Sequence, residues 1–359
     1  MGIDHGAAPG LSIIIPSYNS AGWLPSTLEA LKLALSHTSW TAEVIVVDDG
    51  STDGSGALLR SIAATYAYPL TVIQQPNRGR FLARWAGLEA ATSASVLLLD
   101  SRVLLGEHAL AHVEETQRSD PSESVWNGHA ITDPSAPLVG HFWQVPVYLF
   151  WGRFLAHPAP THITIDNYNR LPKGTGVFIA PRQMLIDACK ASWPSRAATL
   201  TSDDTKVLRH IAGAVPIRLD PGFVATYRPR TTVQGFIKHS FGRGTFLVDS
   251  FGGTSWTWNF LIVLGAVIPA VLLFAVVLLL ASGLVTTAAV LCGIGLIGLL
   301  LPAAAAALRR CPAKGVVSYL TYALVFLGPY WAGLVRGIAV HGRKLCGVKA
   351  SGVTRAVES

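Results

Sequence analysis

Two uninterrupted apolar segments, each followed directly by an acidic turn, are the clearest pattern in the first third of the chain. Residues 44–47 precede the turn at 48–53, and residues 96–99 precede the turn at 100–102. Short apolar segments without alternation are typical of strands covered on both faces of a parallel sheet. Each turn is therefore predicted at the carboxyl end of a strand, where open α/β sheets bind their ligands.

Strands and helices alternate over the first hundred residues. Residues 11–16 form another apolar segment, and residues 22–36 have the spacing of an amphipathic helix. Further strands are predicted at 44–47, 70–73 and 96–99, and further helices at 54–66 and 80–91. This order predicts an α/β fold with a doubly wound, mostly parallel central sheet and flanking helices.

The pattern changes after residue 250. From Ser250 to Leu308 there is no Asp, Glu, Lys, Arg or His, and this stretch is long enough to cross a bilayer twice at about 20 residues per helix. We predict two spanning helices, at residues 258–280 and 284–308. Such a hairpin returns the basic residues Arg309, Arg310 and Lys314 to the cytosolic side.

The third apolar stretch, residues 316–335, leaves two interpretations open. It is long enough to span, but Gly328-Pro329 interrupts it, and spanning would place the charged tail from Arg336 onward outside. We favour an interfacial or re-entrant helix. The predicted organisation is a catalytic domain at 1–230, a basic interfacial segment at 231–256, a membrane region at 257–340 and a basic tail at 341–359.

Composition and charge agree with a membrane-associated protein. Hydrophobic residues make up 50% of the 359 residues and charged residues 14%, which is too apolar for an ordinary soluble enzyme. The net charge of +7 does not come from one dense basic segment, so we expect phosphate-bearing ligands and anionic lipids, not nucleic acid, as partners. The cysteines lack metal or redox spacing. Residues 1–10 lack the apolar core of a signal peptide, so we expect the catalytic domain in the cytosol, at the inner (plasma) membrane.

Four motifs occur in order in the first hundred residues. They are Ile13-Ile14-Ile15-Pro16-Ser17-Tyr18-Asn19, Val46-Val47-Asp48-Asp49-Gly50-Ser51-Thr52-Asp53, Asn77-Arg78-Gly79 with Ala83-Arg84, and Leu98-Leu99-Asp100. Together they resemble the family 2 glycosyltransferases of the GT-A fold, and a weaker similarity continues beyond them. The resemblance implies a membrane-anchored bacterial enzyme that uses a nucleotide-sugar donor.

The resemblance also implies part of a donor site. Asp49 would accept hydrogen bonds from the base or ribose, and Pro16 and Tyr18 would wall the base pocket. Arg84 would bind the donor, although a solvated helical arginine is the other interpretation. For Asp53, a turn or capping role is the alternative to a role in the donor site.

The sequence departs from the family at its metal motif, where the resemblance predicts Asp-x-Asp and this chain has Asp100-Ser101-Arg102. Arginine cannot ligate a metal, so the site loses a carboxylate and gains a cation. Either Asp100 holds Mg²⁺ or Mn²⁺ with other groups and water, which we favour, or Arg102 neutralises part of the pyrophosphate charge. In an extended strand end both side chains would point to the same face. All three residues, Ser101 included, are assigned to the donor site.

An inverting transfer to a hydroxyl needs a carboxylate that removes the acceptor's proton. The segment Thr201-Ser202-Asp203-Asp204-Thr205 resembles the family's Glu-Asp motif, with Asp204 in the position of the base. The other interpretation is that Ser202 or Asp203 caps the following helix. We predict Asp204 as the base, with Asp203 on the acceptor or pyrophosphate side.

Two further segments are assigned to the acceptor or pyrophosphate side. Lys173, Gly174 and Thr175 belong to a small-residue turn that resembles the family's acceptor-docking turn, with a glycine bulge as the alternative. His239 and Arg243 belong to a basic segment similar to those that close over the donor pyrophosphate in membrane-bound relatives. Binding to anionic lipid headgroups explains these two residues equally well.

Aromatic residues are concentrated at residues 138–158. At helical spacing such a segment is more often core than function. The alternative is an interfacial surface that lets the lipid tail of an acceptor approach the site.

The leading functional hypothesis is an inverting glycosyltransferase that moves a sugar from a nucleotide-sugar to a hydroxyl of a lipid-linked acceptor, in cell-envelope glycan or glycolipid synthesis. Transfer to a polyprenyl phosphate is a second hypothesis. That acceptor is already ionised, so an essential Asp204 would argue against it. A non-catalytic nucleotide-sugar-binding partner in an assembly complex is the third.

Overall fold

The chain forms an α/β domain followed by long apolar helices. The computed structural model describes residues 10–194, 199, 201 and 204–346. The strands are β1 (Gly10–Ser17), β2 (Thr41–Asp49), β3 (Leu70–Gln75), β4 (Ser95–Leu99), β5 (Val103–Leu105), β6 (Trp126–Thr132), β7 (Thr161–Ile163), β8 (Val177–Pro181) and β9 (Ile217–Tyr227). The helices are α1 (Leu24–Ser36), α2 (Ser55–Ala63), α3 (Arg80–Ala90), α4 (Ala109–Ser119), α5 (Gln144–Ala156), α6 (Arg182–Ala191), α7 (Thr205–Ala214), α8 (Val233–Phe251), α9 (Trp256–Ala281), α10 (Val285–Leu308) and α11 (Ala313–His341).

The strands belong to one sheet, in the order β3-β2-β1-β4-β8-β6-β9-β5, with β7 paired to β9. Strands β3, β2, β1 and β4 are mutually parallel, as the apolar segments predicted. Beyond them the sheet is mixed, because β8 runs antiparallel to β4. The register pairs Leu99 with Val177, so β8 begins where β4 ends. The turn before β8 is thereby placed beside the acidic turn after β4.

Both faces of the sheet are covered, which explains the absence of alternation in its first strands. Ile13 and Ile15 face a cluster formed with α1 and α4, whereas Ile14 faces α3, α6 and α7. Helix α3 lies close to β1, since a Cβ added to Gly87 would come within 2.3 Å of the Ile14 side chain. The predicted strands and helices up to residue 99 are confirmed, with bounds that shift by a few residues.

Helices α9 and α10 form a hairpin of mostly exposed apolar side chains. Both helices, and α11, are long and apolar enough to cross a membrane. The predicted segments 258–280 and 284–308 correspond closely to α9 and α10. At the open end of the hairpin, α10 packs on α5 of the α/β domain. The start of α9 contacts α8, and Asn259 there donates to the carbonyl of Leu345, after α11.

Helix α11 contacts the α/β domain at its start and α8 beyond its end. At its start, the Lys314 ammonium donates to the carbonyl of Ala136 at 2.7 Å. Just after its last turn, the Lys344 ammonium binds the carboxylate of Asp249, on α8. The helix continues through Pro329, so the interruption expected at Gly328-Pro329 does not occur.

Helices α8 and α11 pack closely along their length. A Cβ added to Gly244 would lie 2.2 Å from the carbonyl oxygen of Tyr330, and one added to Gly333 would lie 1.9 Å from that of Phe241. Larger residues at these two positions would push the helices apart. Phe142, which precedes α5, is fully buried and stacks on Tyr319 of α11, so this part of the aromatic segment is core.

Candidate active site

The acidic turn after β2 packs against the loop that precedes α3. Gly50 has φ +75°, and a Cβ there would lie 2.7 Å from the amide nitrogen of Asn77, so glycine allows the close approach. The buried carboxylate of Asp49 accepts hydrogen bonds from the amides of Arg78 and Gly79, both at 2.8 Å. Asp49 thus fixes the loop before α3, and its contact with a base or ribose remains a prediction.

Asp53 has the turn role that was one of its two interpretations. Its carboxylate accepts from the amide of Ser55 at 3.1 Å and from the amide of Ala21 at 3.0 Å. Burial acts to raise the pKa of Asp53, but these hydrogen bonds outweigh burial and lower it. The carboxylate therefore stays ionised and joins α1 to α2.

The two residues predicted to wall the base pocket differ in exposure. Pro16 is buried inside β1, opposite Val47 of β2. Tyr18 lies just beyond the strand and is 50% exposed. Of the two, Tyr18 therefore offers the larger surface to a ligand.

The small-residue turn before β8 docks onto the donor side of the site. The buried guanidinium of Arg84 donates to the carbonyl of Thr175 at 3.2 Å, and the amide of Asp100 donates to the carbonyl of Gly176 at 2.8 Å. A Cβ at Gly174 would meet no atom within 4 Å, so this position faces open space. Arg84, Asp100 and this turn therefore lie together on one side of the candidate site.

Residues 100–102 form the predicted turn, so the expectation that Asp100 and Arg102 share one face of an extended strand end is wrong. The amide of Val103 donates to the Asp100 carbonyl at 3.0 Å, and the amide of Arg102 donates to the Asp100 carboxylate at 3.0 Å. Ser101 is buried, with its hydroxyl 3.0 Å from that of Ser20. Because the backbone reverses here, Asp100 and Arg102 do not share one strand face.

The Arg102 side chain binds the segment that follows β9. Its Nε donates to the carbonyl of Arg228 at 2.9 Å, a second nitrogen donates to the carbonyl of Pro229, and the guanidinium lies 4.2 Å from the centroid of the Trp23 ring. Burial, reinforced by repulsion from Arg230, lowers the pKa of Arg102 to about 10. It remains a cation at neutral pH, and its direct contact with pyrophosphate remains a prediction.

The positive charges of four arginines act on the imidazole of His239, on α8. Arg243 donates to His239 Nε2 at 3.3 Å. The pKa of His239 lies well below its usual value because the ring is partly buried and because Arg243, Arg230, Arg80 and Arg102 all oppose a further positive charge. The imidazole is therefore neutral and serves as a hydrogen-bond acceptor.

Aromatic rings support this group, which we call the arginine cluster (Arg80, Arg102, Arg230 and Arg243). The guanidinium of Arg243 lies 5.4 Å from the centroid of Trp143, and that of Arg80 lies 5.9 Å from Phe246. Sequence reasoning assigned no role to Arg80, whereas Arg230 belongs to the same predicted basic segment as His239 and Arg243. The position of Arg80, directly after the Asn77-Arg78-Gly79 motif, was the available signal. Clustered guanidinium groups are suited to phosphate oxygens.

Asp204 precedes α7 and is half-buried. Its carbonyl accepts the first hydrogen bond of the helix, from the amide of Leu208 at 2.9 Å. The helix start therefore uses the Asp204 backbone, while its carboxylate acts electrostatically on Lys173 and Tyr168. Asp203 lies outside the described residues.

Lys173 and Tyr168 join the small-residue turn to α7. The Lys173 ammonium donates to the carbonyl of Leu171 at 3.0 Å and lies 4.0 Å from the Tyr168 ring centroid. The Tyr168 hydroxyl donates to the carbonyl of Thr205 at 2.8 Å. Burial and the charge of Arg209 lower the pKa of Lys173 to about 8, and the nearby Asp204 carboxylate only partly opposes this. The predicted base and the acceptor-side turn are thus brought together.

The described residues could hold a metal ion only if a bound ligand supplied further oxygen atoms to it. Among the described residues, no group of three His, Cys, Asp or Glu side chains could hold a metal ion. At the turn after β4, Asp100 supplies a carboxylate with one oxygen bonded to the Arg102 amide. A divalent cation bound by one carboxylate needs phosphate oxygens and water to complete its shell, which is common for Mg²⁺.

Comparison with known proteins agrees with the family resemblance of the motifs. Residues 12–123 match the model of the family described as Glycosyl transferase family 2. An undecaprenyl-phosphate 4-deoxy-4-formamido-L-arabinose transferase from Pseudomonas savastanoi is 34% identical over 128 residues, 32% of this chain and 38% of that protein. A putative teichuronic acid biosynthesis glycosyltransferase, TuaG from Bacillus subtilis, is 37% identical over 93 residues, 26% of this chain and 36% of that protein. The chain thus matches only about a third of the length of these relatives.

One solved structure supports the fold over nearly the whole chain. The mannosyltransferase PcManGT from Pyrobaculum calidifontis, in complex with GDP-Man and Mn²⁺, has a TM-score of 0.55 at 19% identity, covering 92% of this chain and 87% of that one. This likeness confirms the GT-A fold class. The chain therefore combines a GT-A fold, in which residues 12–123 match the family 2 glycosyltransferase model, with a C-terminal group of apolar helices.

Proposed function

We propose, from the family 2 domain and the geometry of its site, that the protein is a membrane-anchored inverting glycosyltransferase. It transfers a sugar from a nucleotide-sugar to a hydroxyl of a lipid-linked acceptor, for cell-envelope glycan or glycolipid synthesis. The relatives named for undecaprenyl-phosphate and teichuronic acid chemistry support a cell-envelope role.

The observation that carries this proposal is the continuity of one site. The small-residue turn contacts Asp100 and Arg84 on one side, while Lys173 of the same turn lies near Asp204 on the other. Arg102 then connects the turn after β4 to the arginine cluster. A donor diphosphate at the cluster would place its sugar towards Asp204.

The chemistry follows from these positions. Asp204 accepts the proton of the acceptor hydroxyl as the hydroxyl oxygen bonds to the anomeric carbon. The bond between that carbon and the diphosphate oxygen breaks, and the diphosphate leaves with the electron pair on the opposite side, which inverts the configuration. The arginine cluster stabilises the negative charge that develops on the leaving group.

We propose that Asp100 holds a divalent cation, Mg²⁺ or Mn²⁺, together with phosphate oxygens of the donor. Such a cation supplies positive charge to the leaving diphosphate. The Mn²⁺ in the mannosyltransferase structure supports this choice. The arginine cluster supplies part of the same charge from the protein itself.

The basic residues Arg309, Arg310 and Lys314 after the hairpin support a placement at the cytosolic face of the inner (plasma) membrane. Helices α9 and α10 would span as a hairpin, because both are long and apolar enough and the end of α10 returns to α5 of the catalytic domain. Helix α11 would lie at the interface, because Lys314 at one end and Lys344 beyond the other both bind groups of the catalytic side. A helix that crossed the bilayer would separate these two ends.

The test is Asp204→Asn in the full-length protein in nanodiscs, assayed with a panel of nucleotide-sugars and a lipid-extract acceptor. Loss of the base should reduce transfer at least about 100-fold while donor binding, measured by thermal shift, changes only a few-fold. Asp120→Asn, at an exposed position after α4, is the matched control and should transfer normally. Near-normal transfer by Asp204→Asn would refute the assignment of the base.

A second candidate function is transfer to a polyprenyl phosphate, which the names of the undecaprenyl-phosphate relatives support. A phosphate acceptor is already ionised and needs no base. If Asp204→Asn transferred normally to undecaprenyl phosphate but not to hydroxyl acceptors, this second function would replace the first.

A further inference from the structure

A basic cavity lies between α5 and the end of α10, apart from the arginine cluster. Its volume is about 470 Å³, within the range of about 300–1,000 Å³ that is usual for small-molecule sites. Its lining includes Arg153 and His157 from α5 and the residue after it, Arg170 from the catalytic domain, and Arg309 and Arg310 after α10. None of the described lining residues is acidic.

The lining charges are held close to one another. Arg310 Nη1 lies 3.1 Å from Nε2 of His157. A Cβ added to Gly152 would come within 2.9 Å of the Arg309 side chain, so α5 and the end of α10 are in tight contact. Such a concentration of like charge, without a carboxylate in the lining, is favourable where an anion binds.

The end of α10 has a backbone conformation at Arg310 in which arginine is unusual. α10 ends with the amide of Cys311 donating to Ala306 and that of Arg310 donating to Ala307, the Schellman pattern of helix ends. The residue that turns left-handed in this pattern is usually glycine, but here it is Arg310, at φ +62°. Glycine would adopt this conformation with less strain.

The rim of the cavity is apolar and lies at the end of a helix long enough to span. Phe150 is 67% exposed and Leu308 is 87% exposed. The 24 residues of α10 extend over about 36 Å, against a hydrocarbon core of about 30 Å. With α10 spanning, which is part of the proposed function, the cavity lies at the level of lipid headgroups.

We propose that this cavity binds the phosphate of an anionic membrane lipid. The general preference for basic residues beside cytosolic membrane ends accounts for Arg309 and Arg310. It does not account for Arg153 and Arg170, which the catalytic domain contributes to the same cavity. Arg170 also follows Tyr168, whose hydroxyl binds the start of the helix of the predicted base, so the bound lipid would lie on the acceptor side of the molecule.

The test measures lipid binding to the full-length protein by native mass spectrometry, with phosphatidylglycerol, undecaprenyl phosphate and zwitterionic phosphatidylcholine as probes. Arg310→Gly removes the charge while keeping the left-handed backbone, so the protein should remain folded. Combined with Arg153→Gln, it should weaken binding of either anionic lipid about 10- to 30-fold, at about 1 kcal/mol per arginine. Arg343→Gln, a charge removed at the membrane flank outside the cavity, should have little effect.

The outcomes separate this proposal from its alternatives. Preferred binding of phosphatidylglycerol or of undecaprenyl phosphate supports it and identifies the source of the phosphate. Anionic-lipid binding by the double variant within twofold of the original protein would overturn it, as would equal binding of phosphatidylcholine or equally tight binding of inorganic phosphate. Asp204→Asn should bind lipid normally, so a failed base assignment leaves this result unaffected. Alkaline extraction of membranes tests the placement of α10 separately.

Discussion

Asp249 is the centre of a buried charge cluster that joins the catalytic domain to the end of α11. Its side chain is 2% exposed and accepts from the Lys206 ammonium at 2.9 Å through both oxygens. Lys344 binds the same carboxylate, and His341 Nδ1 lies 3.6 Å from it. Because Lys206 comes two residues after Asp204, we expect Asp249→Asn to destabilise the fold and to displace the base.

The size of the effect follows from how far each partner is buried. Breaking a fully buried ion pair costs about 3–5 kcal/mol, and an exposed pair contributes about 0–1 kcal/mol. The carboxylate is buried but both lysine side chains are 30% exposed, so they can reach water when the acid is removed. We therefore expect a loss of about 2–3 kcal/mol, which corresponds to a fall in Tm of roughly 4–10 °C.

The pH dependence has a definite sign. Burial acts to raise the pKa of Asp249, but the two lysines outweigh it and lower the pKa. An acid with a lowered folded-state pKa stabilises the protein above its unfolded pKa of about 4, and this stabilisation is lost as the pH falls through the folded-state pKa. The difference in Tm between the original protein and Asp249→Asn should therefore be constant near pH 7 and shrink below about pH 4.

The assay is thermal unfolding in detergent at a fixed heating rate, because membrane proteins commonly unfold irreversibly. Lys344→Met is the matched control, since it removes one cation and leaves Asp249 paired with Lys206. Its Tm should fall by less than half as much. If Asp249→Asn lowered Tm no more than Lys344→Met does, the cluster would not stabilise the protein in the way argued here.

The remaining predictions concern the donor site and the position of the tail. Arg243→Gln should raise the KM for the donor about tenfold or more and weaken its dependence on salt, since a charge on the donor phosphates is lost; an unchanged KM would contradict the role of the cluster. Excess EDTA should reduce transfer without abolishing it, and full activity in EDTA would contradict a metal at Asp100. Arg102→Ala should lower Tm as well as transfer, because its guanidinium holds carbonyls after β9. Cys346, as the sole cysteine of a variant, should react in intact cells only with membrane-permeant reagent if α11 is interfacial, and cysteine placed at Ser282 should react with impermeant reagent.

The sequence was sufficient for features that depend on local pattern. Strands β1, β2 and β4 could be located because each is buried on both faces and has no polar position in its apolar centre apart from Ser12. The grouping of the loops at their carboxyl ends followed from the parallel order of these strands. The hairpin of α9 and α10 followed from length and hydropathy alone.

The turn at 100–102 followed from the local pattern, but the placement of the Arg102 side chain depends on contacts that no local pattern contains. Arg102 binds carbonyl oxygens 126 and 127 positions later in the chain, and these contacts accompany the turn. The arginine cluster is similarly non-local, because Arg80 and Arg243 come from helices that are far apart in sequence. The continuity of α11 through Pro329 has a comparable origin, since close glycine contacts with α8 stabilise the helix along its length.

Helix α8 links the parts of the site that sequence reasoning treated separately. Its first half contributes His239 and Arg243 to the proposed donor-phosphate site, and its last turns contribute Asp249, which binds the lysine behind Asp204. Between them, Gly244 lies against α11, which we place at the membrane surface. A shift of α11 relative to the bilayer would therefore move the donor-phosphate groups and the base together. For this reason we expect changes in the surrounding lipid to alter donor KM and transfer rate jointly, whereas a change confined to Asp204 alters the rate alone.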